Sequence, residues 1–411
     1  MLIRFQVANH RSIKEPVELS MVALDRDRPE ARPQERLGES LVPIAALYGP
    51  NASGKSNVLS ALVWLIDAVW RSLREWDDLI PVTPFAFAAG PQSVSSYELE
   101  LTMDGVRFEY LLDIEPDKIA YEALFEYPEG RRRRVFERSG QTLTLQRGLG
   151  GLAGIKRLWT PRTLVLAYGS TFEGGVVSRF ASEVALMAGA GWRSHYRPSM
   201  STIGWFVPQQ PTLFGDDQEA TDRRLRALAL LRLADRGIAD VELVEDPIDI
   251  TRGGVRRKQI QLAHQLTSGA RGLPFADESE GTKSWFSLIG PVLAALEVGS
   301  VLVVDELDRS LHPALSATLL ELFHSPETNP RGAQLLFTTH DTSLLAHLNR
   351  DEVWFTEKRA DGSTRLGPLS DFASDRVRRS ANLQAGYLSG RFGALPSIDD
   401  APLLRALGLI G

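Results

Sequence analysis

The chain has 411 residues and a formal net charge of −6, with 46 Lys and Arg against 52 Asp and Glu. That charge excludes a strongly basic protein that coats nucleic acid and leaves only a local patch for such contact. The absence of cysteine excludes a disulfide scaffold, a thiolate zinc site and a cysteine nucleophile. A composition of 43% hydrophobic and 24% charged residues is typical of an ordinary folded protein.

Apolar periodicity divides the first 150 residues into strands around a single helix. The predicted elements are strands at 1–8 and 17–24, an exposed loop at 25–40, a strand at 43–49, a helix at 56–76 and an antiparallel sheet over 97–147. Within that sheet, Asp104–Gly105 has the residue types of a two-residue hairpin turn.

The second half of the chain alternates between helical and strand patterns. It predicts a helical region at 175–235 whose clearest helix is 216–237, a β-pair at 241–250 and 257–266, helices at 284–299, 313–325 and 342–348, and strands at 300–306, 333–340 and 351–359. The last residues to 411 mix short helices with Gly- and Pro-containing loops.

The strongest motif is GPNASGKS at 49–56, which fits G-x-x-x-x-G-K-[ST] between an apolar strand and a helix. Such a loop surrounds a phosphate with backbone N–H groups, and the helix that follows adds its positive end. Lys55 is predicted to reach the β- and γ-phosphates and Ser56 to bind Mg²⁺. The predicted cofactor-binding residues of this motif are Gly49, Pro50, Asn51, Ala52, Ser53, Gly54, Lys55, Ser56 and Asn57.

Two further strands end in residues that suit the same chemistry. Strand 300–306 ends in Asp305, predicted to hold Mg²⁺, and Glu306, predicted to be the base that deprotonates the attacking water. His340 is the last residue of strand 333–340 and is predicted to contact the γ-phosphate. The alternatives are a buried strand with solvated acids at its tip and a structural histidine.

Ser279 and Gly281 stand at the start of a predicted helix, shortly before strand 300–306. A serine and a glycine at a helix N-terminus can form an anion site, although a plain helix cap is the alternative. In chain order the four motifs are the loop at 49–56, Ser279 with Gly281, Asp305 with Glu306, and His340. Their occurrence in this order is a more specific signal of function than any one motif alone.

This order resembles the ABC-type ATPase heads of the RecF, SMC and OLD kind, which are α/β P-loop proteins with a mixed sheet, an antiparallel β-lobe and an inserted helical lobe. The resemblance implies a homodimer in which the signature of one subunit, with Ser279 and Gly281, completes the ATP site of the other. It also places Asp308, with Ser310, at the position of the D-loop of these heads.

The segment Asn9–Ser12 resembles the N-F-R-S segment of these heads, with His10 in place of the usual aromatic residue. The resemblance implies that Arg11 lies near the nucleotide. These heads also carry a Q-loop glutamine between the P-loop and the signature, for which Gln92 is the nearest candidate.

Six longer segments extend over nearly the whole chain: FQVANHRSIKEPVELSMVA at the start, then YGPNASGKSN, ESEGTKSW, VDELDRSLHP, TTHDTSLL and GYLSGRFGALP. They resemble a narrower AAA/ABC-type family found in bacterial abortive-infection and related anti-phage operons, such as the AbiL-like and RloB-associated ATPases. The resemblance implies an ATPase that senses or switches, while a separately encoded effector, RloB-like or a nuclease or toxin, acts.

We therefore predict four regions: an N-terminal ATPase lobe (1–174), a helical and β insert lobe (175–270), a C-terminal ATPase lobe (271–360) and a tail (361–411). The tail either docks a partner or packs on the core of the head. The predicted function is ATP binding and hydrolysis with Mg²⁺ in a dimeric switch. The alternatives are a RecF-like DNA clamp or repair ATPase and a scaffold that binds ATP without hydrolysing it.

Three basic clusters bear on the DNA alternative: Arg131–Arg134, Arg256–Lys258 and Arg376–Arg379. Clustered arginines bind phosphate backbones, but the negative net charge disfavours a broad DNA footprint. Since no long apolar run and no signal-peptide pattern are found, we expect a cytoplasmic protein without membrane contact.

Overall fold

The computed structural model describes residues 1–76, 78–87, 94–147, 160–171, 174–191, 199–207, 217–245, 258–372, 382–392 and 405. In chain order the strands are β1 (Leu2–Ala8), β2 (Val17–Ser20), β3 (Arg32–Gln34), β4 (Glu39–Leu41), β5 (Ile44–Tyr48), β6 (Ser95–Met103), β7 (Val106–Glu115), β8 (Lys118–Tyr127), β9 (Arg133–Ser139), β10 (Thr142–Leu145), β11 (Ala188–Ala190), β12 (Ile238–Glu245), β13 (Lys258–Leu266), β14 (Gly269–Pro274), β15 (Val301–Val304), β16 (Gln334–Thr338), β17 (Val353–Lys358) and β18 (Thr364–Pro368). The helices are α1 (Lys55–Arg71), α2 (Val165–Gly169), α3 (Val176–Leu186), α4 (Met200–Phe206), α5 (Asp217–Ala234), α6 (Glu280–Val298), α7 (Pro313–His324), α8 (Leu369–Phe372) and α9 (Leu383–Leu388), with 3-10 turns at Phe275–Asp277 and Thr342–His347.

The central sheet has the strand order β11-β15-β16-β5-β17-β18, and only β18 at its edge is antiparallel to its neighbour. β5, β15 and β16 are buried along their whole length, as expected of parallel strands that have helices on both faces. Alternate residues of β5 face two different cores, because Leu47 packs in the core of α1 and Tyr48 in the core of α6. The carboxyl ends of these three strands meet at one edge of the sheet.

An antiparallel sheet of seven strands, β10-β9-β8-β7-β6-β1-β2, forms the β-lobe beside the central sheet. β6 and β7 are joined at Asp104–Gly105, where both residues have positive φ, as a two-residue hairpin turn requires. β1 and β2 extend the sheet that the sequence predicted over 97–147. The predicted α/β fold class, with a mixed sheet and an antiparallel β-lobe, is confirmed.

The insert between the two parts of the central sheet contains α4, α5 and the three-stranded sheet β12-β13-β14. Apolar residues of these elements share one core with α6. α3 lies in the predicted insert range, yet it packs in the core of α1, and β11 pairs with β15. The domain boundaries at 175 and 270 remain a prediction.

The segment 25–40, predicted as an exposed loop, contains the hairpin β3–β4 and a buried arginine. Arg28 is only 6% exposed, because its guanidinium donates to Asp351 at 2.6 Å and lies 3.5 Å from Glu352. A charged side chain can be buried when it is paired, and its partners lie more than 300 residues away in the sequence. The composition of the segment could not reveal that pairing.

Two helix ends also differ from the prediction. α6 begins at Glu280 and not at 284, because Ser279 caps it, and α1 ends at Arg71 and not at 76. In the tail, residues 382–392 pack on the core of the head: the Tyr387 ring stacks on Phe355 with 5.4 Å between the ring centroids. Among the described helices, none combines the length and the apolar character that crossing a bilayer requires.

A fully buried charge pair ties α2 to the β-lobe. Glu122 accepts hydrogen bonds from the backbone N–H groups of Val165 (2.7 Å) and Leu166 (2.9 Å) and lies 3.9 Å from the Arg138 guanidinium. Arg138 in turn donates to the Thr163 carbonyl at 2.7 Å. Both charged side chains are at most 1% exposed.

Replacing Glu122 by Ala leaves the buried Arg138 without its counter-charge. It also leaves three buried donors without their acceptor: the Tyr110 hydroxyl and the backbone N–H groups of Val165 and Leu166. We expect the free energy of unfolding to fall by about 3–5 kcal/mol, which is typical when one partner of a buried ion pair is removed. Glu129→Ala, at an exposed hairpin tip, should change it by less than about 0.5 kcal/mol. Urea unfolding followed by circular dichroism measures both, and equal midpoints for the two variants would contradict the expectation.

Candidate functional site

The motif at 49–56 forms a P-loop, which connects the buried end of β5 to the first turn of α1. Gly54 is the N-cap of α1 with φ of 104°, a conformation that favours glycine. A Cβ atom on Gly54 would overlap Thr364 Oγ1, and one on Gly49 would lie 2.6 Å from Thr356 Oγ1. Both positions need glycine because the β17–β18 hairpin lies directly against the loop.

Backbone amides of the loop, among them those of Ala52, Gly54, Lys55 and Ser56, have no acceptor among the described residues. The Ser56 hydroxyl likewise has no hydrogen-bond partner in the described part of the chain. Unpaired N–H groups at the start of a helix form a concavity that binds anions.

A network of hydroxyl groups fixes the shape of the loop from behind. Ser53 Oγ lies 2.5 Å from Thr356 Oγ1, and Thr364 Oγ1 donates to the Ser53 carbonyl at 3.0 Å. Ser12 Oγ lies 2.7 Å from Thr364 Oγ1 and accepts from Asn57 Nδ2 at 2.7 Å. No sequence pattern marks Thr356 or Thr364 as part of the site, because the register of the hairpin against the loop decides which side chains face it.

Lys55 lies across the loop and is 6% exposed. Its ammonium donates to the carbonyl oxygens of Gly49 (2.8 Å) and Pro50 (3.1 Å). Burial lowers the pKa of Lys55 to about 8, although the carboxylates of Asp305 and Glu306 oppose that shift. The loop therefore already holds a cation next to the unpaired amides.

The acidic pair after β15 is held by Thr338, the last residue of β16. Thr338 Oγ1 donates to Asp305 Oδ1 at 2.7 Å and accepts from the Glu306 N–H at 2.7 Å. Glu306 has φ of 54°, a rare conformation for a residue with a side chain. Backbone strain of this kind is found where the surrounding structure fixes a functional group. The exposed Glu306 carboxylate lies 3.6 Å from the Arg309 guanidinium.

His340 lies at the same sheet edge, and its backbone N–H is 3.3 Å from both Asp308 carboxylate oxygens. Partial desolvation and the Lys55 charge lower the pKa of His340, while nearby carboxylates oppose the shift. The imidazole is therefore neutral at pH 7. The same three carboxylates, those of Asp305, Glu306 and Asp308, act on Lys55 and on His340, so all five side chains lie near one another.

The signature residues lie elsewhere. The exposed Ser279 caps α6 by accepting from the Thr282 N–H at 3.1 Å. A Cβ on Gly281 would lie 3.0 Å from the Ser310 carbonyl oxygen. In the described structure, neither Ser279 nor Gly281 contacts the P-loop of the same chain.

The N-terminal motif contacts the loop through Ser12, whereas the exposed Arg11 forms no ion pair with a described residue. His10 is 1% exposed and lies 2.9 Å from the Tyr97 hydroxyl and 3.4 Å from Ser60 Oγ. Burial lowers the pKa of His10 to about 4, so it is a neutral link between the β-lobe and α1.

Three of the four arginines in the hairpin cluster are neutralised by glutamates. Arg132, Arg133 and Arg134 lie 2.8, 3.4 and 3.1 Å from carboxylate oxygens of the same sheet. Such pairing leaves little free positive charge for a phosphate backbone. Gln92, Arg256, Arg257 and the 376–379 cluster lie outside the described residues, as does the side chain of Lys258.

Comparison with known proteins gives one family match. The family model described as "AAA domain, putative AbiEii toxin, Type IV TA system" matches residues 44–147 and 208–346, together more than half of the chain. No curated protein is similar enough to this chain to count as a match.

Among solved structures, the chain is similar to an Smc head bound to the C-winged helix domain of ScpA, at 11% identity and a TM-score of 0.47, over 89% of this chain and 96% of that one. It is similar at 12% identity to an Smc head domain with an extended coiled coil bound to the C-terminal domain of ScpA from Pyrococcus furiosus (TM-score 0.42, 90% and 97% covered). The Smc head domain with a coiled coil and joint from Pyrococcus yayanosii gives 12% identity and a TM-score of 0.43, over 90% and 97%.

Gly54→Ala tests the close packing of the loop on the hairpin. The positive φ costs an alanine about 1–2 kcal/mol, and the overlap with Thr364 Oγ1 adds to that cost. We expect the affinity for ATP, measured by titration calorimetry, to fall by about tenfold or more. Gly130→Ala is the control, because Gly130 also has positive φ but faces open space. Equal ATP affinity in the two variants would contradict the prediction.

The lowered pKa of Lys55 predicts how ATP affinity changes with pH. A phosphate stabilises the ammonium form, so binding takes up a proton once pH exceeds the pKa of about 8 in the free protein. Affinity should be constant below about pH 7 and fall by up to about tenfold per pH unit above about pH 8. In Lys55→Arg, which stays charged, the pH profile should be flat even if binding is weaker. A flat profile in the unmodified protein would contradict the account.

Proposed function

The chain belongs to the AAA-domain family whose model matches more than half of it, and on that premise we propose that it binds ATP with Mg²⁺ and hydrolyses it. The observation that carries the proposal is the sheet edge where the unpaired P-loop amides, Lys55 and the carboxylates after β15 converge with His340. Ligands of parallel α/β sheets bind at the carboxyl ends of the strands.

Each residue of the site has a separate role in the proposed phosphoryl transfer. The P-loop amides and Lys55 bind and orient the β- and γ-phosphates. Ser56 and Asp305 offer the hard oxygen ligands that Mg²⁺ prefers, and they would hold an ion that supplies neutralisation of phosphate charge. Glu306 accepts the proton of the attacking water, and the neutral His340 donates a hydrogen bond to the γ-phosphate. Positioning and charge stabilisation supply the catalysis.

We propose that two copies of the chain enclose two ATP molecules. Ser279 and Gly281 are accessible at the start of α6 and stand apart from the P-loop of their own chain. A second subunit can therefore bring them to the γ-phosphate, with Asp308 and Ser310 between the two motifs. ATP would close the dimer, and hydrolysis would reopen it.

The dimer acts as a switch for a separately encoded effector protein in bacterial anti-phage defence of the abortive-infection kind. The toxin–antitoxin wording of the matched family description supports a partner of this type. Arginines 132–134 are already paired with glutamates, which disfavours a RecF-like DNA clamp.

The decisive variant is Glu306→Gln, which keeps the shape of the side chain and removes the base. It should retain ATP and form a stable dimer, while Lys55→Ala should bind no ATP and stay monomeric. Light scattering and the nucleotide content of the purified proteins measure both. Equal, measurable ATP turnover in Glu306→Gln and in the unmodified chain would contradict the role of Glu306 as the base. No turnover in either protein would favour the ATP-bound scaffold.

A further inference from the structure

A histidine of the insert is bound to the residue directly before the signature serine. His264 lies on β13, and its Nε2 is 2.7 Å from Glu278 Oε1. Its Nδ1 lies 3.7 Å from Asp235 Oδ2, directly after the end of α5. One imidazole therefore bridges the end of α5 and the start of α6.

This bond is well shielded from water. The side chain of Glu278 is 4% exposed and that of His264 is 20% exposed. Because a buried carboxylate is costly without a hydrogen-bond partner, the bond fixes where Glu278 can lie. The Glu278 N–H also donates to the Phe275 carbonyl at 3.3 Å, so backbone and side chain are both held.

The position of Glu278 sets the position of Ser279, which follows it and caps α6. A second bond holds α6 to the insert, since Trp285 Nε1 donates to the Leu230 carbonyl of α5 at 2.6 Å. Trp285 holds the body of α6 against the insert, and His264 holds Glu278, the residue before the N-cap. A movement of the insert sheet would therefore move the exposed signature end.

We propose that His264 is a positioning residue that aims Ser279 and Gly281 at the ATP of the second subunit, and so links the insert to closure of the dimer. The inference rests on the proposed function, because it assigns a role within the ATP-enclosing dimer. His264 itself touches neither nucleotide nor Mg²⁺ in this role.

The test measures two equilibria in the Glu306→Gln background. Adding His264→Ala should weaken ATP-dependent dimerisation by about tenfold or more, while ATP affinity of the dilute monomer changes by less than about twofold. Gln265→Ala, at the exposed neighbour on β13, is the matched control and should change neither. Glu278→Gln keeps a hydrogen-bond acceptor for His264 and should retain most of the dimerisation, whereas Glu278→Ala should lose it.

Mixing gives a second readout that a local folding defect would not produce. His264→Ala lacks a positioned signature, and Lys55→Ala lacks a working P-loop, so each alone should be nearly inactive. A mixed dimer contains one site built from two intact halves. Equal mixing should therefore give more ATP hydrolysis than the two variants give separately.

The outcomes separate the two proposals. If Glu306→Gln alone does not dimerise with ATP, the proposed function fails and this inference with it. If it dimerises and His264→Ala dimerises equally tightly, the positioning role is overturned while the proposed function stands. The positioning role would also be overturned if His264→Ala lowered the ATP affinity of the monomer, or its melting temperature, enough to account for the weaker dimer.

Discussion

The candidate site depends on one close contact, the packing of the P-loop glycines on the β17–β18 hairpin. Because Gly49 and Gly54 carry no side chain, Thr356 and Thr364 reach the loop and bind Ser53. The backbone amides beside that contact, at the start of α1, have no acceptor among the described residues. The loop is thus shaped before any ligand arrives, which lowers the entropy cost of binding.

Opposite charges at the carboxyl ends of β5 and β15 form the second constraint. Lys55 is buried against its own loop carbonyls, while Asp305, Glu306 and Asp308 lie near enough to raise its pKa against the effect of burial. Thr338 holds the acidic pair from the neighbouring strand. Anchored groups of this kind need little rearrangement when charge develops during a reaction.

Local patterns predicted much of this arrangement because strand, loop and helix follow one another in the chain. The family match confirms that the chain is an AAA-domain protein, and the two principal sheets agree with the apolar periodicity. Residues that act through distant contacts were not predictable. Thr356 and Thr364 support the loop from more than 300 positions away, and Arg28 was assigned to an exposed loop for the same reason.

In the proposed dimer, the signature of one subunit completes the P-loop site of the other. Since the chain has no cysteine, single cysteines can be placed at the exposed Asn51 and Glu280 in Glu306→Gln and linked by a short bis-maleimide. The account predicts a cross-linked dimer when the two single-cysteine variants are mixed with ATP, and none from either variant alone. Cross-linking within one doubly substituted monomer, or mixed dimers that form equally without ATP, would contradict it.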